Sequence, residues 1–316
     1  MNAVVLRTQG LTKRFGDLTA INNLTLEVHE GEVFGFLGPN GAGKTTSINM
    51  MCGLLKPDEG QVFIHGAPVD GNDGVRSRVG VCPQEIILWE RLTCLEQLQF
   101  IGQMYGMSGK AARQRAHYLL EELDLSDKGN KQARTLSGGM QRRLNLLMAL
   151  VHDPEIVVLD EPEAGLDPQS RVKVREYIQS LARQKTVILT THNMDEADRV
   201  ADRVAIIDHG ELLVLDTPQA LKRRVGEGDV VEIQIETPSP EWDPAGLLAA
   251  LSGLGFDPQL DTDGTALMGR ARNLVARLSE ILGELERLGG VPGDVRLREN
   301  TLEDVFIQLT GRRLRE

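Results

Sequence analysis

The chain has 316 residues, 41% of them hydrophobic and 4% aromatic, and a formal net charge of −11 at pH 7. That length suits two domains, and the acidic balance disfavours broad nucleic-acid binding by phosphate neutralisation. No run of about 18 apolar residues occurs, so no bilayer-spanning segment is expected, and Met1 to Arg7 lack the basic stretch and apolar core of a secretory signal.

Val4 to Leu11 and Leu24 to Val28 alternate apolar and polar residues, which predicts two antiparallel strands. Glu32-Val33-Phe34-Gly35-Phe36-Leu37 is short, apolar and strand-like. Directly after it, Gly38-Pro39-Asn40-Gly41-Ala42-Gly43-Lys44-Thr45-Thr46 fits G-x-x-x-x-G-K-[ST], the phosphate-binding P-loop. The glycines let the backbone fold tightly with its N–H groups turned toward phosphate oxygens. Thr45 to Cys52 reads as a helix start, which adds positive potential at the same place. In this pattern Lys44 reaches the β- and γ-phosphates and the Thr45 hydroxyl holds Mg²⁺.

Gln61 to Ile64 is a further strand, entered from the Pro57-Asp58-Glu59-Gly60 turn. Leu92 to about Ala149 is mostly helical, broken at Gly106 to Gly109. Two buried strands follow, Ile156 to Leu159 and Thr186 to Thr190, and then a hairpin, Val204 to Asp208 and Glu211 to Leu215, turning at His209-Gly210. These alternating elements predict an α/β domain over residues 1–225. The thiols of Cys52, Cys82 and Cys94 match no metal or disulfide spacing and read as small buried hydrophobes in a reducing compartment.

Near Gly226-Glu227-Gly228 the texture changes, and residues 226–316 predict a small C-terminal α+β domain. Its expected elements are a strand (Val230–Glu236), a helix (Pro244–Ser252), strands near 256–261 and 265–270, a helix (Asn273–Leu288), a strand near 291–298 and a helix (Leu302–Thr310). Asp261-Thr262-Asp263-Gly264 suits the middle hairpin. Apolar residues at 274, 275, 278, 281, 282, 285 and 288 make one helical stripe, and Thr301 with Asp304 suits an N-cap. The β-α-β-β-α-β order predicts a ferredoxin-like fold.

Four more segments follow the P-loop: Val81-Cys82-Pro83-Gln84; Leu136-Ser137-Gly138-Gly139-Met140-Gln141; Ile156-Val157-Val158-Leu159-Asp160-Glu161-Pro162, leading to Gly165-Leu166-Asp167; and Thr190-Thr191-His192. In this order they resemble the ATP-binding-cassette (ABC) ATPases over residues 1 to about 220, the Ser-Gly-Gly signature being the specific part. The resemblance implies a P-loop NTPase of ABC type, with an antiparallel β subdomain and a helical subdomain at about 85–150. It implies ATP and Mg²⁺ as ligands. Asp160 would bind Mg²⁺, Glu161 would be the base for water, Gln84 would contact Mg²⁺ and the water, and His192 would reach the γ-phosphate. Phe15 matches the adenine-stacking position, with core packing as its alternative. The residues expected on nucleotide are Phe15, Gly38 to Thr46, Ser137, Gly138, Gly139, Gln141 and Asp167. Asn193 stands where relatives often carry an aromatic, and Glu163 where many carry a small or hydroxylated residue.

The signature of one subunit in this family closes over the P-loop of another, so the resemblance implies a homodimer or paired subunit sandwiching two ATP molecules. The stretch from Gln84 to Ser137 is too short for the coiled coil of DNA-repair types. Leu297 to Phe306, ending in Leu309 to Arg312, looks like the tail of bacterial exporter subunits whose integral-membrane permease is a separate chain. That predicts an ATP-hydrolysing motor at the inner face of the cell membrane. The alternative is a soluble ABC ATPase without a permease. Arg91, Leu92 and Leu95 are candidates for the groove that grips the permease, an ordinary amphipathic surface being the other reading.

Overall fold

In the computed structural model, which describes residues 3–69, 77–182, 184–224, 229–236, 242–261, 264–271 and 274–311, the chain divides into two compact units, Met1–Pro218 and Gln219–Arg313. The readings at Gly226 to Gly228, Thr262 and Asp263, Asn273 and Arg312 lie outside the described residues.

The first unit starts with β1 (Val4–Phe15), β2 (Leu18–His29), β3 (Val33–Leu37), α1 (Lys44–Met51), β4 (Glu59–Ile64), β5 (Ala67–Pro68) and β6 (Val79–Cys82). Three helices follow, α2 (Cys94–Met104), α3 (Gly109–Glu122) and α4 (Gly138–Leu150). Then come β7 (Ile156–Asp160), α5 (Pro168–Leu181), β8 (Thr186–Thr191), α6 (Met194–Val200), β9 (Arg203–Asp208) and β10 (Glu211–Asp216). The strands form an antiparallel sheet, β2-β1-β4-β5, and a central sheet, β10-β9-β3-β8-β7-β6. In the central sheet β9, β3, β8, β7 and β6 run parallel, and β10 pairs antiparallel to β9.

Both faces of the parallel strands are covered, which is why they read as unbroken apolar runs. Along β7, Val157 and Leu159 pack with Leu98, Leu119, Leu144 and Leu147 of the helices. Ile156 and Val158 face the other way, with Phe34, Phe36, Ile48, Leu6 and Leu26. Helix starts are set locally: Thr93 and Glu96 form a reciprocal capping box at α2, and Ser108 and Ser137 cap α3 and α4. β1 runs past the expected end at Leu11. Gly10, at φ 60°, sits where the register with β2 shifts, so Leu11 and Thr12 are both buried and strict alternation breaks there.

The helix α7 (Pro218–Arg224) leads into the second unit. Its remaining elements are β11 (Asp229–Glu236), α8 (Pro244–Gly253), β12 (Asp257–Leu260), β13 (Ala266–Ala271), α9 (Leu274–Arg287), β14 (Val291–Arg298) and α10 (Leu302–Thr310). The sheet order is β12-β13-β11-β14, all antiparallel, the ferredoxin-like arrangement of a β-α-β-β-α-β chain. Val231, Ile233 and Ile235 of β11 meet Leu247 and Leu251 of α8 and Leu274, Ile281 and Leu285 of α9 in one core. Thr301 and Asp304 make a capping box at α10, and Gly311 closes it in the left-handed conformation.

Among the described residues no helix is long and apolar enough to cross a membrane.

Candidate active site

Four neighbouring strands, β3, β8, β7 and β6, end side by side, and each delivers one predicted segment to the carboxyl edge of the sheet. β3 leads to the P-loop, β8 to His192, β7 to Asp160 and Glu161, and β6 to Gln84.

The P-loop closes on itself. A Cβ at Gly38 would strike the Ile207 carbonyl oxygen, and Gly43, at φ 101°, would strike Ile21 and the Ala20 carbonyl oxygen. Only glycine fits either position. Lys44 is 6% exposed, and its Nζ donates to the carbonyls of Gly38 at 2.8 Å and Pro39 at 3.2 Å. Burial pulls the Lys44 pKa below its ordinary value, against the Glu161 and Asp160 carboxylates, which push it up. Above the loop lies a cavity of about 490 Å³, lined by Pro39, Asn40, Gly41, Gly43, Lys44, Thr45 and Thr46. Phe15 stands at this cavity, half-exposed and outside the core, together with Gln84 and Glu161. Gly38 and Ala42 belong to the packed underside of the loop.

The two carboxylates at the end of β7, Asp160 and the following Glu161, are buried but not alone. Asp160 Oδ2 accepts from the Thr45 hydroxyl at 3.2 Å, and its Oδ1 accepts from the Thr190 hydroxyl. Thr45 and Asp160 are thus neighbouring oxygen donors, and with the Gln84 side chain they suit a hard cation such as Mg²⁺. Glu161 Oε1 lies 2.9 Å from His192 Nδ1 and 3.7 Å from Lys44 Nζ, and Gln84 Nε2 donates to Oε2 at 3.5 Å. Lys44, Gln84 and His192 therefore converge on one carboxylate. The Glu161 backbone is left-handed, at φ 48°, and its N–H donates to the carbonyl and hydroxyl oxygens of Thr190, both at 3.1 Å.

Ser137, Gly138, Gly139, Gln141 and Asp167 do not line this cavity. Ser137 caps α4, Gly138 and Gly139 form its first turn, and the Gln141 amide donates to the Ala133 carbonyl at 3.0 Å. Asp167 caps α5 by accepting from Ser170 N at 3.0 Å and Gln169 N at 3.1 Å, and its carboxyl is held below the ordinary range by the Ser170 side chain first and by these backbone bonds with it. The two departures from the family pattern have local reasons. Glu163 is buried in a two-point ion pair with Arg175, at 3.1 and 2.6 Å. Asn193 caps α6, accepting from Asp195 N and Glu196 N.

Sequence patterning gave no site role to Thr190, Leu18 or His209. His209 lines the cavity because the β9–β10 turn lies against the P-loop, with Gly210 N donating to Ala42 O at 3.0 Å, and Leu18 lines it as the β2 residue paired with Phe15. The His209-Gly210 turn was the one available signal. All three thiols are free and buried, and burial pushes Cys52 up to about 12 and Cys82 to about 11. Beyond Gln84, Arg91 is exposed and Leu92 half-buried, whereas Leu95 packs on the core. The exposed apolar surface there is made by Ile87, Trp89 and Phe100, the last two edge to face with ring centroids 5.3 Å apart.

Residues 21–164 match the model of the ABC transporter family. The chain is 40% identical to the Nod factor export ATP-binding protein I of Burkholderia orbicola, over 100% of each chain. The chain belongs to the ABC transporter family. This ABC subunit is also 38% identical to the daunorubicin resistance ATP-binding protein DrrA3 of Streptomyces coeruleorubidus, over 100% of the chain and 99% of that protein. Identity to the linearmycin resistance ATP-binding protein LnrL of Bacillus subtilis is 33%, over 99% of the chain and 100% of that protein. Among solved structures, a dimeric post-hydrolysis state of the ATP-binding cassette MJ0796 bound to ADP and Pi superposes with a TM-score of 0.62 at 29% identity, covering 67% of this chain and 98% of that one. The ABC subunit is accordingly an ATPase cassette, and it carries a further α+β unit.

Proposed function

We propose that the chain is the ATP-hydrolysing motor subunit of a bacterial export system. Two cassettes would close head to tail on two ATP molecules and move separate integral-membrane permease subunits. Full-length similarity to relatives named for daunorubicin resistance, linearmycin resistance and Nod factor export supports the export reading. A permease partner implies a position at the inner face of the cell membrane, and no nucleic-acid partner is expected. The apolar surface of Ile87, Trp89 and Phe100, with Arg91 and Leu92, is assigned to the permease.

The observation that carries the chemistry is the buried Glu161 carboxylate at the P-loop cavity, with Lys44, His192 and Gln84 gathered on it. The phosphates of ATP lie on the P-loop N–H groups beside Lys44. Thr45, Asp160 and Gln84 would hold Mg²⁺, which would neutralise phosphate charge. Glu161 takes a proton from the attacking water as the water oxygen bonds to the γ-phosphorus. The bond from that phosphorus to the bridging oxygen breaks, and ADP leaves with the electron pair. Lys44 and His192 stabilise charge on the transferring group. Phe15 stacks on adenine, while Ser137 to Gly139 and Asp167 of the second subunit close the site.

Glu161→Gln is expected to lower turnover about 10²- to 10⁴-fold while ATP binding and dimerisation persist. Loss of nucleotide binding in that variant counts against Glu161 as the base. Co-purification with an integral-membrane partner is expected of the full chain. Recovery with ribosomes or DNA and no membrane protein would favour a soluble ABC ATPase instead.

A further inference from the structure

Arg142 lies one turn into α4 and is 3% exposed. A guanidinium carries five N–H donors, and here each meets a main-chain carbonyl. Nε donates to Pro162 O at 3.3 Å. Nη1 donates to Pro83 O at 2.8 Å and Gln84 O at 2.7 Å. Nη2 donates to Asp160 O and Glu161 O, both at 2.6 Å. A buried charge is normally offset by an ion partner, but among the described residues Arg142 makes no ion pair. Its charge is held by backbone dipoles alone, from the two segments that carry the general base and the glutamine. Burial for stability alone would favour an apolar side chain at this place.

The bond to Glu161 O has a particular target. Glu161 sits at φ 48°, a left-handed conformation that an L-residue adopts only when its surroundings hold it there. Thr190 holds that residue through its N–H, and Arg142 holds it through its carbonyl. The same guanidinium grips the carbonyl of Gln84, so the base and the glutamine share one anchor. That anchor is mounted on α4, which Ser137 caps and Gly138 and Gly139 open.

We propose that Arg142 is a positioning residue. It acts through Glu161 and Gln84, and it carries the pose of the signature helix into its own chain's hydrolysis site. The inference rests on the roles given above to Glu161 and to the signature. In a closed pair, nucleotide held by one subunit's signature then sets the geometry of that same subunit's base, which serves the other nucleotide. Arg142 is thus a link between the two ATP sites.

The test uses the full chain with Arg142→Lys, which keeps the charge with three donors on one atom, and Arg142→Met, which keeps bulk without charge. ATP affinity without Mg²⁺, turnover and the Hill coefficient for ATP are measured, with melting to establish folding. Affinity is expected to stay within about twofold, because none of the five hydrogen bonds of Arg142 goes to the P-loop. Turnover is expected to fall about 10²-fold, the size of effect that roughly 1 Å of misplacement produces, and the Hill coefficient to fall toward one. A folded variant with wild-type turnover and cooperativity overturns the proposal. So does a parallel loss of affinity and turnover, or loss of folding in both variants, since either assigns Arg142 to the fold alone. Glu161→Gln in the same series separates the levels. If it retains turnover, the reading of the site fails; if it loses turnover while Arg142→Lys does not, only the link fails.

Discussion

Replacing Thr190 by valine tests how strand β8 holds the carboxylate of its neighbour. Thr190 is 0% exposed, so water cannot stand in for a lost hydroxyl. The hydroxyl donates to Asp160 and accepts from Glu161 N at 3.1 Å. Valine keeps the shape and removes both bonds. Glu161 N retains the Thr190 carbonyl at 3.1 Å, and Asp160 retains the Thr45 hydroxyl at 3.2 Å, so neither group is orphaned. The net loss is one hydrogen bond to a charged acceptor, about 1.5–3 kcal/mol. In a unit of this size that lowers the melting temperature by about 3–12 °C. Thr190→Ser keeps both bonds and gives up one methyl group, about 1 kcal/mol. Calorimetry should therefore rank wild type above serine and serine above valine. A valine variant that melts at or above the serine variant refutes the reasoning, because packing would then outweigh the bond to Asp160.

Three further outcomes are expected. Phe15→Ala should weaken ATP binding about 5- to 150-fold by direct titration, the scale of one base–aromatic stack, while Phe15→Trp should preserve it. In the second unit, burial pushes the Asp304 carboxyl up, but hydrogen bonds from Arg298 and Thr301 outweigh it and hold the pKa below its ordinary value. The unfolded state then binds the proton more readily. The stability from Asp304 is complete above the unfolded value of about 3.9 and is lost as pH falls through the folded value. Asp304→Asn should remove this part of the acid sensitivity. Trp242 packs on the second unit's core and reports its unfolding once Trp89, the only other tryptophan, is replaced by phenylalanine. Gly43→Ala should abolish ATP binding in a chain that still folds, as titration and circular dichroism can check. An alanine at φ 101° against the Ala20 carbonyl must reshape the loop.

Some of this architecture can be read from the chain because the informative residues are consecutive. The P-loop lies within one nine-residue stretch, and Asp160-Glu161 closes a run of buried aliphatics that only a covered strand tolerates. In the second unit the helical period was legible, since the α9 stripe at Leu274, Ile281 and Leu285 faces its core, and the Thr301–Asp304 cap showed where α10 starts. Contacts between segments far apart in sequence left no such mark. Thr190 looks like any strand threonine until β7 and β8 pair, Asp160 opposite Thr190. His209 reaches the cavity only because its hairpin lies on the P-loop, and Arg142 looks like an ordinary helix arginine until five carbonyls surround it. The Arg175 partner of Glu163 lies twelve residues further on, in α5, and the cap that Asn193 makes shows only once α6 is formed.

The alignment of β3, β8, β7 and β6 also decides which side chains can meet at the cavity. Leu37 pairs with Thr191, Thr190 with Asp160, and Leu159 with Cys82. A slip of one residue in any pair moves its trailing segment by about 3.3 Å, more than the length of a hydrogen bond. Glu161 would then lose Lys44, His192 or Gln84 at once. On the roles proposed above, a molecule with a slipped strand would lack one partner of Glu161, so this register is a condition for hydrolysis.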